Sequence, residues 1–356
     1  MSSRKRLILI NLLLVAVFTG LGLATIEVLL RTGVIANGFW ETKQAIAEVR
    51  NRVEASKERP RLLVLGDSFI RRGHAVDEEL KRIFNEKVDI LNLAYSGYCP
   101  VEYHSTLKNI GLAFKPDVVL LSYYVGNDLT DLKYRMKDGI LPEGDDGRLQ
   151  PLHRSLEPPS HPLGSYLTEW AKGKFQAHSS SDHFVTRWQE LKVHQDLIDL
   201  YQKGLLNPWL VEVGLKTDSF LKDNLLVSGE ENAKVWQEIL TKFEEIHNLT
   251  RESGAQLAVV VFPNTAQINK KHYDLYNKMN LRTDPAMLNL AVPQDGITTF
   301  CRVRGIPVLD LLPYYREKRD QDWFWDTDDH MNVEGSHMAA RIIADFLKQD
   351  TRFNML

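Results

Sequence analysis

Arg61-Leu-Leu-Val-Leu-Gly-Asp-Ser-Phe69 is the stretch around which the rest of the chain reads. Apolar residues Leu62 to Leu65 run into Gly66, Asp67 and Ser68, and a segment with helical spacing follows. That is the pattern of a buried parallel strand ending in a tight turn. Ligands of open α/β sheets bind outside the carboxyl ends of the strands, so Ser68 stands where a hydroxyl nucleophile is useful. Alone, Gly-Asp-Ser is also an ordinary strand-end turn, and Asp67 would brace it through backbone hydrogen bonds. The functional reading depends on what the other segments bring to Ser68.

Downstream, strand and helix patterns alternate. Helical apolar spacing covers Asp77–Phe84, a second strand Val88–Leu93, and a helix Val101–Phe114 that Pro116 ends. Asp117–Val125 is a third strand, nearly all apolar, as expected of a strand buried on both faces. The alternation breaks over roughly 130–230, which is rich in Gly and Pro with scattered aromatic residues such as Trp170, Trp188 and Trp209. This is too long for a plain loop and reads as a helical cap inserted over the carboxyl edge of the sheet. Val235, Ile239, Phe243 and Ile246 then fall on one stripe of a helix over Glu231–Ser253, with Gly254 at its C-terminus. A fourth strand (Gln256–Phe262), a helix (Pro293–Val303), a fifth strand (Ile306–Leu309) and a last helix (Val333–Phe346) complete the pattern. Strands separated by helices imply a parallel sheet with right-handed crossovers. The expectation is a three-layer α/β/α domain over 61–350 carrying one insertion.

The N-terminus differs from the rest. Arg4, Lys5 and Arg6 precede an apolar run from Leu7 to Leu30, long enough for the roughly 20 residues that span a hydrocarbon core. A cleaved signal peptide has a shorter apolar region and a small-x-small cleavage site, which is not clear here. Residues 1–31 are therefore expected to be an uncleaved signal anchor. The basic cluster keeps the N-terminus cytoplasmic and the body extracytoplasmic, hence periplasmic in a bacterium. Residues 32–60, with Ile46, Val49 and Val53 at helical spacing, read as a juxtamembrane stalk that Pro60 stops.

The 356 residues are 44% hydrophobic and 26% charged, with a net charge of -3. This is ordinary globular composition, without the basic face that nucleic-acid binding needs. Cys99 and Cys301 are too few for a disulfide framework; one bridge or two free thiols both fit. Cys99, two residues after Gly97, is better read as a buried inert thiol than as a pocket group. No Cys/His spacing resembles a zinc site.

Three strand ends supply polar groups to one edge of the sheet: Ser68, Gly97 and Asn127. A loop before the last helix supplies His330. Hydroxyl, backbone amide, carboxamide and imidazole are what acyl transfer uses. Serine attacks a carbonyl, histidine moves the proton, and hydrogen-bond donors meet the developing oxyanion.

Gly66-Asp67-Ser68-Phe69, Gly97 within Asn92–Tyr98, Gly126-Asn127-Asp128 and His330-Met-Asn332-x-x-Gly335 resemble the four blocks of the SGNH (GDSL-like) hydrolases, in family order. The resemblance spans 61–348 apart from the insertion. It implies a flavodoxin-like five-stranded sheet of order 2-1-3-4-5, Ser68 as nucleophile and His330 as general base. It also implies an oxyanion hole of the Ser68 and Gly97 amides with the Asn127 side chain. The family's usual D-x-x-H pattern fails, because Thr327 stands three residues before His330. Some membrane-associated relatives acting on polysaccharides use D-x-H, which selects Asp328. A triad acid must reach the histidine Nδ1; Asp328 meets that requirement best, then Asp326, with adjacent Asp329 expected to point elsewhere.

Blander readings accompany these. Asn127 and Asp128 also suit a helix cap. Asp326, Asp328, Asp329 and His330 resemble a metal cluster, but no further ligand set accompanies them, and neither metal nor cofactor is expected. Trp323, Phe324 and Trp325 suit a sugar-stacking surface or core equally. His178 and His183 read as loop residues, and Asn248-Leu-Thr250 as a glycosylation match lying mid-helix. The combined expectation is a membrane-anchored serine esterase acting on acyl esters, O-acetyl above all, of a cell-envelope glycan or exopolysaccharide. Alternatives are an O-acyltransferase with the same site, a lipid-acting esterase, and a catalytically weak glycan-binding or scaffold protein.

Overall fold

The computed structural model describes residues 19–25, 38–55, 58–85, 87–137 and 184–354. The chain divides into two compact units, one of residues 1–47 and 150–184, the other of 48–149 and 185–356. Most of the first lies outside the described residues, as do most of the expected anchor, the region around His178 and His183, and much of the insertion. Residues 19–25 are helical. Among the described residues, no helix is long and apolar enough to cross a membrane.

The second unit holds a parallel sheet of β1 (Arg61–Leu65), β2 (Asp89–Asn92), β3 (Val118–Tyr124), β4 (Gln256–Phe262) and β5 (Val308–Asp310). Its order is β2-β1-β3-β4-β5, and every pairing is parallel. All seven residues of β3 are buried, as the continuous apolar run from Val118 requires of a strand covered on both faces. Successive strand residues point to opposite faces. Leu62 and Val64 thus join one core, which the last helix closes with Ala339, Ala340, Ile343, Ala344 and Leu347.

Taken in chain order, the helices that matter are α1 (Gly38–Ala55), α2 (Ala75–Phe84), α3 (Pro100–Asn109), α4 (Asp128–Lys137), α5 (Gln195–Gln202), α6 (Pro208–Lys216), α7 (Phe220–Leu226), α8 (Glu230–Glu252), α9 (Val292–Val303) and α10 (Val333–Gln349). Helices α2 and α10 pack together on one face of the sheet, while α8 packs against α3, α4 and β4 on the other. The stripe Val235, Ile239, Phe243 and Ile246 is buried as expected, and Gly254 follows α8 at φ 81°.

Some boundaries differ from the expected ones. The helix expected over Val101–Phe114 ends at Asn109 and tightens into a 3₁₀ turn over Gly111–Phe114. The fifth strand is shifted to Val308–Asp310, where it pairs with Val259–Val261. Region 130–230 is not wholly a break: its first residues continue α4, and its described remainder is helical. The end of the expected stalk is no free spacer. Val49 is buried, and Arg52 pairs with Asp89 at 2.8 Å. Cys99 and Cys301 are both free and buried.

Candidate active site

The carboxyl ends of β1, β2 and β3 open into a cavity of about 620 Å³. Ser68, Gly97, Asn127, Asp328 and His330 all line it, together with Asp131, Arg135, Asn207, Trp209 and Trp325. A smaller depression of about 180 Å³ shares Ser68, His74, Trp325 and His330 and runs along the start of α10.

Each group is held by its local backbone. Asp67 is fully buried, and its Oδ1 accepts the Phe69 amide hydrogen at 3.0 Å, which closes the turn and leaves Ser68 at the surface of the cavity. The Phe69 ring lies between Tyr124 and His330, with centroid separations of 3.7 Å and 5.0 Å. The apolar residue after the serine therefore sets the plane of the imidazole. Gly97 sits at φ 78°, a left-handed conformation that glycine adopts without Cβ strain. Its carbonyl accepts a hydrogen bond from Arg135 Nη2 at 3.1 Å, and Arg135 Nε donates to buried Glu102 at 2.8 Å. Glu102 in turn accepts from the Cys99 amide at 3.0 Å, so α3 and α4 together brace the Gly97 loop.

Asn127 precedes α4, and its backbone carbonyl accepts the Asp131 amide hydrogen at 2.8 Å. Its side-chain oxygen is buried without a partner. An unsatisfied buried amide is uncommon in folded proteins; here it belongs to a residue lining the cavity. Asp128 takes the structural work instead, accepting from the Tyr124 amide at 3.0 Å and from Tyr103 Oη at 2.8 Å.

The imidazole of His330 bridges two polar groups. Nε2 lies 2.7 Å from Ser68 Oγ, and Nδ1 lies 2.7 Å from Asp328 Oδ1. With the proton on Nδ1, Nε2 is an acceptor aimed at the serine hydroxyl, the arrangement a general base requires. Asp328 also accepts from Asn207 Nδ2 at 3.1 Å, and Asn207 caps α6 through the Trp209 amide at 3.0 Å. Asp326 is turned away, 3.2 Å from Lys271 Nζ. Asp329 departs from the expectation that it would point elsewhere. Its Oδ1 is 3.4 Å from His330 Nδ1, and its Oδ2 accepts from Tyr124 Oη at 2.8 Å. The hydrogen bond from Tyr124 holds this buried carboxyl inward, so that His330 faces two acids rather than one.

Those neighbours set the protonation states. Burial opposes the charge on His330, but the hydrogen bond to Asp328 and the charges of Asp329, Asp328 and Asp67 outweigh it and raise the imidazole to about 9. Burial also works against an ionised Asp328, yet the contacts with His330 and Asn207 hold it well below the usual carboxylate range. Burial pushes Asp329 up to about 6 and Asp67 up to about 7. Asp328, Asp329 and His330 are close enough to offer one ligand atom each to a cation. In this arrangement both ring nitrogens are instead engaged by Asp328 and Ser68.

The aromatic triplet divides between its two readings: Phe324 is buried core, whereas Trp325 is 52% exposed and lines the cavity. Asn207 and Tyr124 carried no motif. Only their tertiary placement connects them to the site.

Residues 220–356 match the family model described as the SGNH hydrolase-like domain of the acetyltransferase AlgX. A search of curated proteins finds no match. Among solved structures, similarity is found to the acetyl xylan esterase AlAXEase, at 10% identity over 80% of this chain and 98% of that one, with a TM-score of 0.39. The acetylxylan esterase Axe2 from Geobacillus stearothermophilus is similar at 12% identity, over 81% and 93% of the two chains, with a TM-score of 0.41. A lipase/acylhydrolase from Enterococcus faecalis is similar at 11% identity, over 81% and 95%, with a TM-score of 0.38. These three likenesses are too distant to bear on substrate. The family match covers the loop of Asp328 and His330, and over those residues the chain is similar to the SGNH hydrolase-like family.

Proposed function

We propose that the protein is a serine esterase that cleaves O-acetyl groups from a polysaccharide through an acyl-enzyme. The observation that carries this reading is the unbroken relay Ser68–His330–Asp328, with both contacts at 2.7 Å. In this reading Ser68 Oγ attacks the ester carbonyl carbon while His330 Nε2 takes its proton. The carbonyl oxygen becomes an oxyanion facing the amides of Ser68 and Gly97 and the carboxamide of Asn127. His330 then gives the proton to the alcohol oxygen, which leaves, and Asp328 stabilises the imidazolium in between. Water attacks the acyl-enzyme in hydrolysis. A second sugar hydroxyl attacks it in transfer, a variant that the acetyltransferase named in the family match makes the natural alternative.

The acetyl group is supported by the family match, and a sugar alcohol by the walls of the cavity. Polar Ser96, Asp131, Arg135 and Asn207 with Trp209 and Trp325 suit a hydroxylated alcohol better than a lipid chain. The Asp328–His330 contact favours the enzyme reading over the scaffold alternative. Membrane attachment through residues 1–31, with the catalytic unit extracytoplasmic, is part of the proposal. It rests on Arg4, Lys5, Arg6 and the apolar run after them.

Turnover of p-nitrophenyl acetate with labelling by a fluorophosphonate tests the chemistry. Wild type is expected to turn over and to be labelled on Ser68, and Ser68→Ala to do neither. Equal rates in the two proteins sink the assignment. Membrane fractionation and protease protection of the full chain test the anchor: a soluble full-length protein would refute it.

A further inference from the structure

Helix α4 and the residue just before it present one row of polar groups to the cavity. Asn127, Asp131 and Arg135 are spaced by four residues, which places them on one helical face, and all three line the same wall. The first faces the reacting carbonyl in the mechanism above, and the third is committed to the Gly97 carbonyl and Glu102. Asp131, between them, has no side-chain role in the fold. Its backbone amide is used, but among the described residues no group hydrogen-bonds to its carboxyl. Asp128, three residues earlier, has two such partners.

We propose that Asp131 is a specificity-determining residue that binds the alcohol portion of the ester, through a free hydroxyl adjoining the acylated oxygen. The proposal rests on the esterase reading above. An acetyl group is far smaller than a cavity of about 620 Å³, which is within the range that holds a whole drug-sized ligand. Most of that space must therefore receive the alcohol. A carboxyl in its wall that the protein leaves unpaired is a hydrogen-bonding group waiting for a ligand.

The charges around Asp131 say which form it takes. Asp67 after β1, Glu102 on α3 and Asp329 before α10 are acidic, and Arg135 on its own helix is the opposing cation. Burial, helped by these acids against Arg135, pushes Asp131 up to about 8. A neutral carboxylic acid can donate one hydrogen bond and accept another. A sugar hydroxyl does the same, so the two are complementary, whereas an ionised carboxylate only accepts.

The experiment compares two probes on one enzyme: a partially O-acetylated xylo-oligosaccharide, whose esters adjoin free hydroxyls, and phenyl acetate, whose alcohol has none. Asp131→Ala is expected to lose at least about tenfold more kcat/KM on the oligosaccharide than on phenyl acetate, the order of one site–hydroxyl hydrogen bond. The difference should appear mainly in KM. Asp131→Asn, which keeps a donor and an acceptor, should recover most of it. Equal losses on the two probes, or no recovery in Asp131→Asn, overturn the proposal. Ser68→Ala run in parallel separates the two levels. If it is inactive while the losses are equal, only the role of Asp131 fails; if it retains turnover, the esterase reading fails and takes this proposal with it.

Discussion

Tyr124, at the end of β3, donates its phenolic hydrogen to Asp329 at 2.8 Å, across 205 positions of sequence. Tyr124 Oη also accepts from Asn264 Nδ2 at 2.7 Å, so one buried oxygen joins β3, the loop after β4 and the loop carrying His330. Tyr124→Phe removes that oxygen. It leaves the Asn264 amide and an Asp329 oxygen buried without partners, which costs about 1–3 kcal/mol per unpaired group. The expected outcome is a lower denaturant midpoint at unchanged slope, with a smaller effect on the chemistry because the Asp328 contact remains. An unchanged midpoint would show that the chain Asn264–Tyr124–Asp329 does not contribute to stability.

The two acids on His330 should prove unequal. Asp328 makes the 2.7 Å contact and is ionised, while Asp329 lies at 3.4 Å and binds its proton more tightly. In a Ser-His-Asp enzyme, an amide in place of the acid drops kcat by about 10⁴ by favouring the wrong tautomer. Asp328→Asn is expected to approach that loss, and Asp329→Asn to stay within about tenfold, since it keeps the oxygen that Tyr124 binds. Steady-state kinetics on p-nitrophenyl acetate decide between them; the reverse order would make Asp329 the orienting acid.

The pH profile follows from the same pair. His330 must be neutral to accept the serine proton, and its folded pKa is about 9. Therefore kcat/KM in the free enzyme should climb from neutral pH, reach half its maximum near 9 and level off above it. Removing the charge of Asp329 or Asp328 should move the rise towards the ordinary value of 6.5. The sign for stability is opposite to that for activity. A histidine whose pKa is raised on folding contributes stability that is full below about 6.5 and lost as pH rises through 9. Thermal midpoints measured across that window should fall in wild type and fall less in His330→Gln.

Much of this was legible in the residues alone, for identifiable reasons. Strands such as Val118–Tyr124 announce themselves because a parallel sheet covered on both faces demands unbroken apolar runs. The reactive groups are legible because the chain places them where those runs stop. What was not legible depends on three-dimensional neighbours. Nothing in the spacing of Asp328, Asp329 and His330 says that Tyr124 will draw Asp329 under the ring. Asn207 looks like any helix cap until the described part of the insertion sets it against Asp328. Trp325 and Phe324 are adjacent and chemically alike, yet the local pairing of Phe324 with Met331 turns one into the core and the other into the cavity.

Asn127 offers the sharpest separation of catalysis from folding. Its carboxamide makes no hydrogen bond among the described residues, and its oxygen is buried. A buried polar atom without a partner carries a desolvation cost that alanine does not. Asn127→Ala should therefore leave stability unchanged or raise it slightly. The same substitution removes a donor from the position the oxyanion would occupy, a loss typically worth about 10²–10³ in kcat. Because the interaction forms only as charge develops, KM should change little. A thermal midpoint that drops along with kcat would mean that Asn127 shapes the loop rather than the transition state. A held midpoint with a hundredfold fall in kcat would identify it as a group kept for the reaction at the fold's expense.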